Sequence, residues 1–76
     1  MANALAVRVE ETLRPVIGSV LAAVSVDVES KRLGKTPDTL VHSDLLPMSH
    51  NLVSALNLLV GREVAEAAAQ KVRELG

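Results

Sequence analysis

Residues 3–32 read NALAVRVEETLRPVIGSVLAAVSVDVESKR, and the way this stretch folds decides the architecture. Leu5, Val9, Leu13, Ile17, Leu21, Val24 and Val28 recur at three- and four-residue steps, the spacing of one face of an α-helix. Glu10 with Arg14 and Asp27 with Lys31 are acid-then-base pairs four apart, which suits the same helix. One long helix is therefore predicted. Two features oppose an unbroken rod. Pro15 lacks an amide donor and clashes one turn earlier, so either the helix kinks there or Thr12 caps a fresh helix. In the second form residues 3–11 make a separate arm. Val24-Ser25-Val26-Asp27-Val28 also alternates as a β-branched strand would. The Asp27–Lys31 spacing and the want of a partner strand favour helix.

Working outward, Leu33-Gly34 ends the long helix, with Lys31 and Arg32 in the last turn opposing the negative end of its dipole. Thr36-Pro37 opens a turn, and Leu40 and Val41 tuck the connector onto the core. Ser43 or Asp44 caps a second helix whose first turn tolerates Pro47. Leu45, Leu52, Leu56 and Leu59 form one stripe on it, and Leu46, Val53 and Val60 an adjacent one. Gly61 stops or bends that helix. Residues 62–75 form the last, with Val64, Ala68, Val72 and Leu75 on one face and Arg62–Glu66 paired at four residues. The expected fold is all-α: a small bundle of three main helices in a single domain over residues 1–76, its first helix long and kinked at Pro15. No internal repeat is evident.

Composition narrows function by exclusion. The 76 residues include no cysteine and no aromatic residue, 49% are hydrophobic, and the net charge is −1. Thiolate metal sites, iron–sulfur clusters and thiol nucleophiles are excluded, and a reducing, cytoplasmic setting is favoured. Without Phe, Tyr or Trp there is no stacking platform for single-stranded nucleic acid. Residues 36–61 hold no Lys or Arg, so no basic stripe is available to grip duplex DNA. Val16 to Val26 is apolar but too short to span a membrane. It also follows Glu10 and Glu11, where a signal peptide wants positive charge.

Few residues invite chemistry. His42, Asp44 and His50 lack the helical spacing of a metal site. His42, Ser43 and Asp44 are consecutive, so they cannot converge as a hydrolytic triad. The four glycines are isolated, which leaves no phosphate cradle. A serine at the start of the second helix resembles the attachment site of acyl and peptidyl carrier proteins. Their order is Asp-Ser-Leu, whereas here it is Ser43-Asp44-Leu45, and the charge of −1 is less acidic than such carriers. No enzyme activity, cofactor or bound metal is expected.

The remaining signal is mechanical. Gly18, Ala22 and Ser25 make a strip of small residues that admits a second helix at close range. That strip serves either this chain's own Ala-rich last helix or a dimer seam. Leu5 and Val9 are further contact points if the first residues form an arm. Val7, Val16, Val20 and Val26 add apolar surface beyond the main stripe. Chains this short draw only a few kcal/mol from one core. The expectation is a non-enzymatic helical interaction or oligomerisation module, regulatory or adaptor in role, with a homodimer favoured over a different helical partner. A carrier-like domain modified at Ser43 and a membrane-surface helical protein are the alternatives.

Overall fold

The computed structural model describes residues 3–75, and among these no strand occurs. The helices are α1 (Ala4–Arg32), α2 (Leu45–Val60) and α3 (Arg62–Arg73), with a turn of 3-10 helix at His42–Asp44 before α2. The all-α class read from the apolar spacing is what the chain adopts, and the alternating Val24–Val28 segment is helical. Asn3 caps α1: its Oδ1 accepts from the Ala6 amide at 2.9 Å. At the other end Gly34 takes φ 74°, its amide donates to the Lys31 carbonyl at 2.9 Å, and the Lys35 amide donates to that of Ser30 at 2.9 Å. This pair of bonds returns the chain and satisfies two terminal carbonyls.

The expected kink is real but lies at Gly18, three residues beyond Pro15. Gly18 has φ 83° and ψ 165°, a conformation essentially closed to residues with a side chain, and helix resumes immediately after it. Pro15 sits within the helix instead. Both it and Glu11, whose carbonyl it leaves unpaired, are exposed, so water can take the missing donor's place. Thr12 starts no fresh helix; its Oγ1 donates to the Arg8 carbonyl at 2.8 Å, a bond made inside a continuing one. The first arm of α1 thus covers residues 4–17 and the second residues 19–32.

The break changes which residues are buried. On the first arm Val9 and Leu13 face the core as the spacing implies, Ala6 joins them, and Leu5 and Ile17 are only partly buried. Beyond Gly18 the buried positions are Ala22, Val26, Glu29 and Ser30, whereas Leu21, Val24 and Val28 lie outside. A straight helix would have buried these three along with Leu13. The glycine re-aims the second arm, and its inward face is a different one.

Gly61 repeats the device. Its φ of 86° and ψ of 162° nearly equal those of Gly18, and it joins α2 to α3 as Gly18 joins the arms of α1. A shift of 43 residues carries Gly18 onto Gly61 and Ala6, Val9, Leu13, Ala22, Val26 and Glu29 onto Ser49, Leu52, Leu56, Ala65, Ala69 and Val72. All twelve of these side chains are buried. The chain is thus built from two helix–glycine–helix units with a common burial pattern, a repeat not evident in the sequence. Several equivalent residues differ in identity, and only their burial matches.

The connector between the units is tied at both ends. Asp44 Oδ2 accepts from the Lys35 Nζ at 2.7 Å and from the Val41 amide at 2.9 Å. Lys35 holds the Asp44 carboxyl below the usual carboxylate range; burial opposes this and the Val41 amide assists. The Asp44 side chain therefore faces back along the chain rather than capping α2, and no side-chain cap bond forms there. Leu40 is buried with Leu45, Met48, Leu52 and Leu56 in a core otherwise made of Leu13 and small Ala and Val side chains.

Candidate functional site

The exposed face of the second arm of α1 stands out against this core. Val20 is 75% exposed, Val24 50%, Leu21 45% and Val28 40%. At 3.6 residues per turn these four lie within about 100° of arc, on the side away from Ala22, Val26 and Glu29. The stripe carries no charge until its C-terminal end. There Asp27 and Lys31 pair at 3.1 Å with both side chains well exposed. A second apolar spot flanks Gly61, where Leu58 is 89% and Leu59 58% exposed. Scattered single apolar residues on a surface are ordinary; a contiguous stripe along one helix is not.

The residues expected to form a partner interface are distributed differently. Val9 and Ala22 are buried within the chain, out of a partner's reach. Leu5 is partly buried against the same core and Ser25 is half-buried. Gly18 is exposed at the kink. The small residues Gly18, Ala22 and Ser25 do not lie along one continuous helix, because Gly18 itself interrupts it. The accessible apolar residues are their neighbours Val20, Leu21 and Val24. Treating Gly18 as a breaker rather than as a small packing residue would have identified them, because the break releases the downstream face from the register of Leu13.

Between α2 and α3 lies an open cleft of about 550 Å³ lined by Ser49, His50, Val53, Ser54, Glu66, Ala69, Gln70 and Arg73. Its charged groups have opposite signs, so it offers no concentrated field to an ionic ligand. His50 borders it, while His42 sits in the turn before α2. No three His, Cys, Asp or Glu side chains converge with metal-site geometry among the described residues. Ser43 is exposed in the same turn as His42. None of the helices, among the described residues, is long and apolar enough to cross a membrane.

Among the described residues Glu29 is the most deeply buried ionisable group. Glu29 is 2% exposed, and its Oε1 has no hydrogen-bond partner. Its Oε2 lies 3.8 Å from the Arg32 Nε, a distant contact with a largely exposed guanidinium. Burial pushes the Glu29 carboxyl above the usual range, and the Arg32 charge offsets this only in part. The equivalent position in the other unit is Val72, so the fold accepts an apolar side chain where Glu29 stands.

No family model matches the chain, and neither a curated protein nor a solved structure matches it.

Proposed function

We propose that the chain is a non-enzymatic helical interaction module that acts as a homo-oligomer, a dimer in the first instance, with docking on another helical protein as the variant of the same role. The observation that carries this reading is the solvent-facing stripe Val20, Leu21, Val24 and Val28 on a helix whose other side is already buried. Burying apolar surface contributes about 25 cal/mol per Å². The chain's own core of Leu, Val, Met and Ala leaves that contribution unused along α1. A short chain without disulfides or aromatic residues gains much from burying it against a partner. Sedimentation equilibrium across the micromolar range tests the reading. The expected mass rises above that of one chain as concentration increases. A single-chain mass throughout would refute self-association.

A carrier-like role has one observation in its favour, the exposure of Ser43 in the turn that opens α2. The intact mass of natively expressed protein separates it: a covalent group on Ser43, lost in Ser43→Ala, would establish that role in place of the first.

A further inference from the structure

The inward face of the second arm of α1 is a weak hold on the core. Its buried side chains are Ala22, Val26, Glu29 and Ser30, with Leu33 partly buried at the end. The equivalent helix of the other unit, α3, turns Ala65, Ala68, Ala69 and Val72 inward and no charge. Val72 stands there where Glu29 stands here. The Glu29 Oε1 is closed to solvent and without a hydrogen-bond partner. The adjacent Ser30 hydroxyl does not serve it, because it donates to the Val26 carbonyl at 2.6 Å. Among the described residues Arg32, on the same helix, is the one charged group acting on Glu29. The first arm, the connector, α2 and α3 pair no charged side chain with it, and Lys35 of the connector is taken by Asp44 at 2.7 Å. In that position the core leaves an ionised carboxylate uncompensated, which costs more than housing the neutral acid.

The arm also lies between two breaks. Gly18 at φ 83° precedes it and Gly34 at φ 74° follows it, and a Cβ at either would meet nothing within 4 Å. The segments beyond these glycines have side-chain ties of their own. The Asn3 side chain donates to the Leu40 carbonyl at 2.8 Å, and Lys35 donates to Asp44 at 2.7 Å. Neither tie has to break for the arm to move. We propose that residues 19–33 form a pH-operated gate, docked on the core while Glu29 is neutral and lifted from it, about Gly18 and Gly34, when Glu29 ionises. α3, with Val72 in that place, stays docked. The gate goes beyond the self-association reading and does not depend on it. Burial raises the Glu29 carboxyl in the docked arm, so docking is strongest below the titration of the undocked carboxyl and weakens as pH rises through the docked value. The lowered Asp44 carboxyl acts in the opposite sense, its contribution being lost on acidification. Lifting uncovers Ala22 and Val26 and the core beneath them.

Amide hydrogen exchange on the full chain, followed by NMR and corrected for the intrinsic rate at each pH, tests the gate. The quantity read is the protection of residues 22–30 divided by that of their counterparts, residues 65–73. In the wild type this ratio is expected to fall at least threefold, roughly, between about pH 4 and pH 7. In Glu29→Gln and in Glu29→Met it is expected to stay level. Glutamine keeps the shape and removes the charge, methionine removes the polar group as well, and either variant that folds decides the matter. A level ratio in the wild type overturns the gate. So does a fall that persists in a folded variant, because another group would then be titrating. Equal loss of protection in both segments overturns it too, since the chain would be opening as a whole.

Discussion

The two units share six pairs of equivalent buried positions and differ on what they leave outside. In the first, the second arm shows Val20, Leu21, Val24 and Val28 to solvent; in the second, α3 shows Glu63, Val64, Ala67 and Lys71. The shared inward positions build the core, and the outward ones differ in character between the units. The first unit also carries a fault that the second lacks, the buried Glu29 in place of Val72. A residue's role here is read best against its counterpart 43 positions away.

The core pair should show the largest effect. Leu13→Ala and Leu56→Ala remove equivalent, fully buried side chains and are each expected to cost about 2–5 kcal/mol. Urea unfolding of both would check the equivalence. A loss confined to one would mean that the units do not share a core.

The hinges come next. Gly18 and Gly61 have near-identical backbone angles, and a Cβ at either would meet nothing within 4 Å. Alanine there suffers backbone strain and no clash, about 1–3 kcal/mol in each case. Thermal melts of Gly18→Ala and Gly61→Ala should shift down by similar amounts. A gain in stability and helicity for Gly18→Ala would show that α1 can straighten.

Glu29 sharpens the contrast through pH. Its carboxyl is raised in the folded chain, so folding favours its protonated form. Stability from this group is greatest below the unfolded carboxylate's titration and is lost as pH rises through the raised folded value. Glu29→Met should therefore stabilise at neutral pH by about 1–2 kcal/mol, with the advantage shrinking on acidification. Asp44 runs the other way. Its lowered carboxyl contributes above the ordinary titration range, and that contribution fades as pH falls through the folded value. Denaturation midpoints of the wild type, Glu29→Met and Asp44→Asn against pH would separate the two limbs.

The smallest effects belong to the exposed ion pairs. Glu10–Arg14 at 3.4 Å lies on the first arm of α1 and Arg62–Glu66 at 3.6 Å on α3, each four residues apart. Arg14→Ala and Arg62→Ala should each change stability by no more than about 0.5 kcal/mol, less at high salt. A larger, salt-insensitive loss at Arg14 alone would implicate it in something beyond its own helix.

Much of this was legible in the sequence. The three- and four-residue steps marked the helices, Gly34 and Gly61 marked their ends, and Pro47 fell in the tolerant first turn of α2. The face of the second arm was not legible. Leu21, Val24 and Val28 continue the spacing of Val9 and Leu13 without a gap, and nothing local says that the axis turns at Gly18 rather than at Pro15. Proline is the stronger breaker by rule, yet a missing donor on a wet face is easily replaced, whereas a positive φ redirects the chain outright. The repeat stayed hidden for a related reason: Val9 answers to Leu52, Val26 to Ala69 and Glu29 to Val72. The expected interface residues Gly18, Ala22 and Ser25 belong together only on a straight helix, and the exposed apolar stripe follows from the bend.

The Asn3 side chain links two places far apart in sequence. While its oxygen holds the Ala6 amide, its nitrogen donates to the Leu40 carbonyl at 2.8 Å and the Asp38 carbonyl at 3.2 Å, and its own amide reaches the Pro37 carbonyl at 3.3 Å. The clasp closes a ring around the first unit and fastens its opening turn to the strap that leads into the second. An ordinary helix start frays by itself, exchanging its first amide protons with solvent almost freely. Here the side chain that holds the Ala6 amide is itself held by the 37–40 strap. Exchange of the Ala6 amide should accordingly keep pace with that of the strap, and Asn3→Ala should uncouple the two.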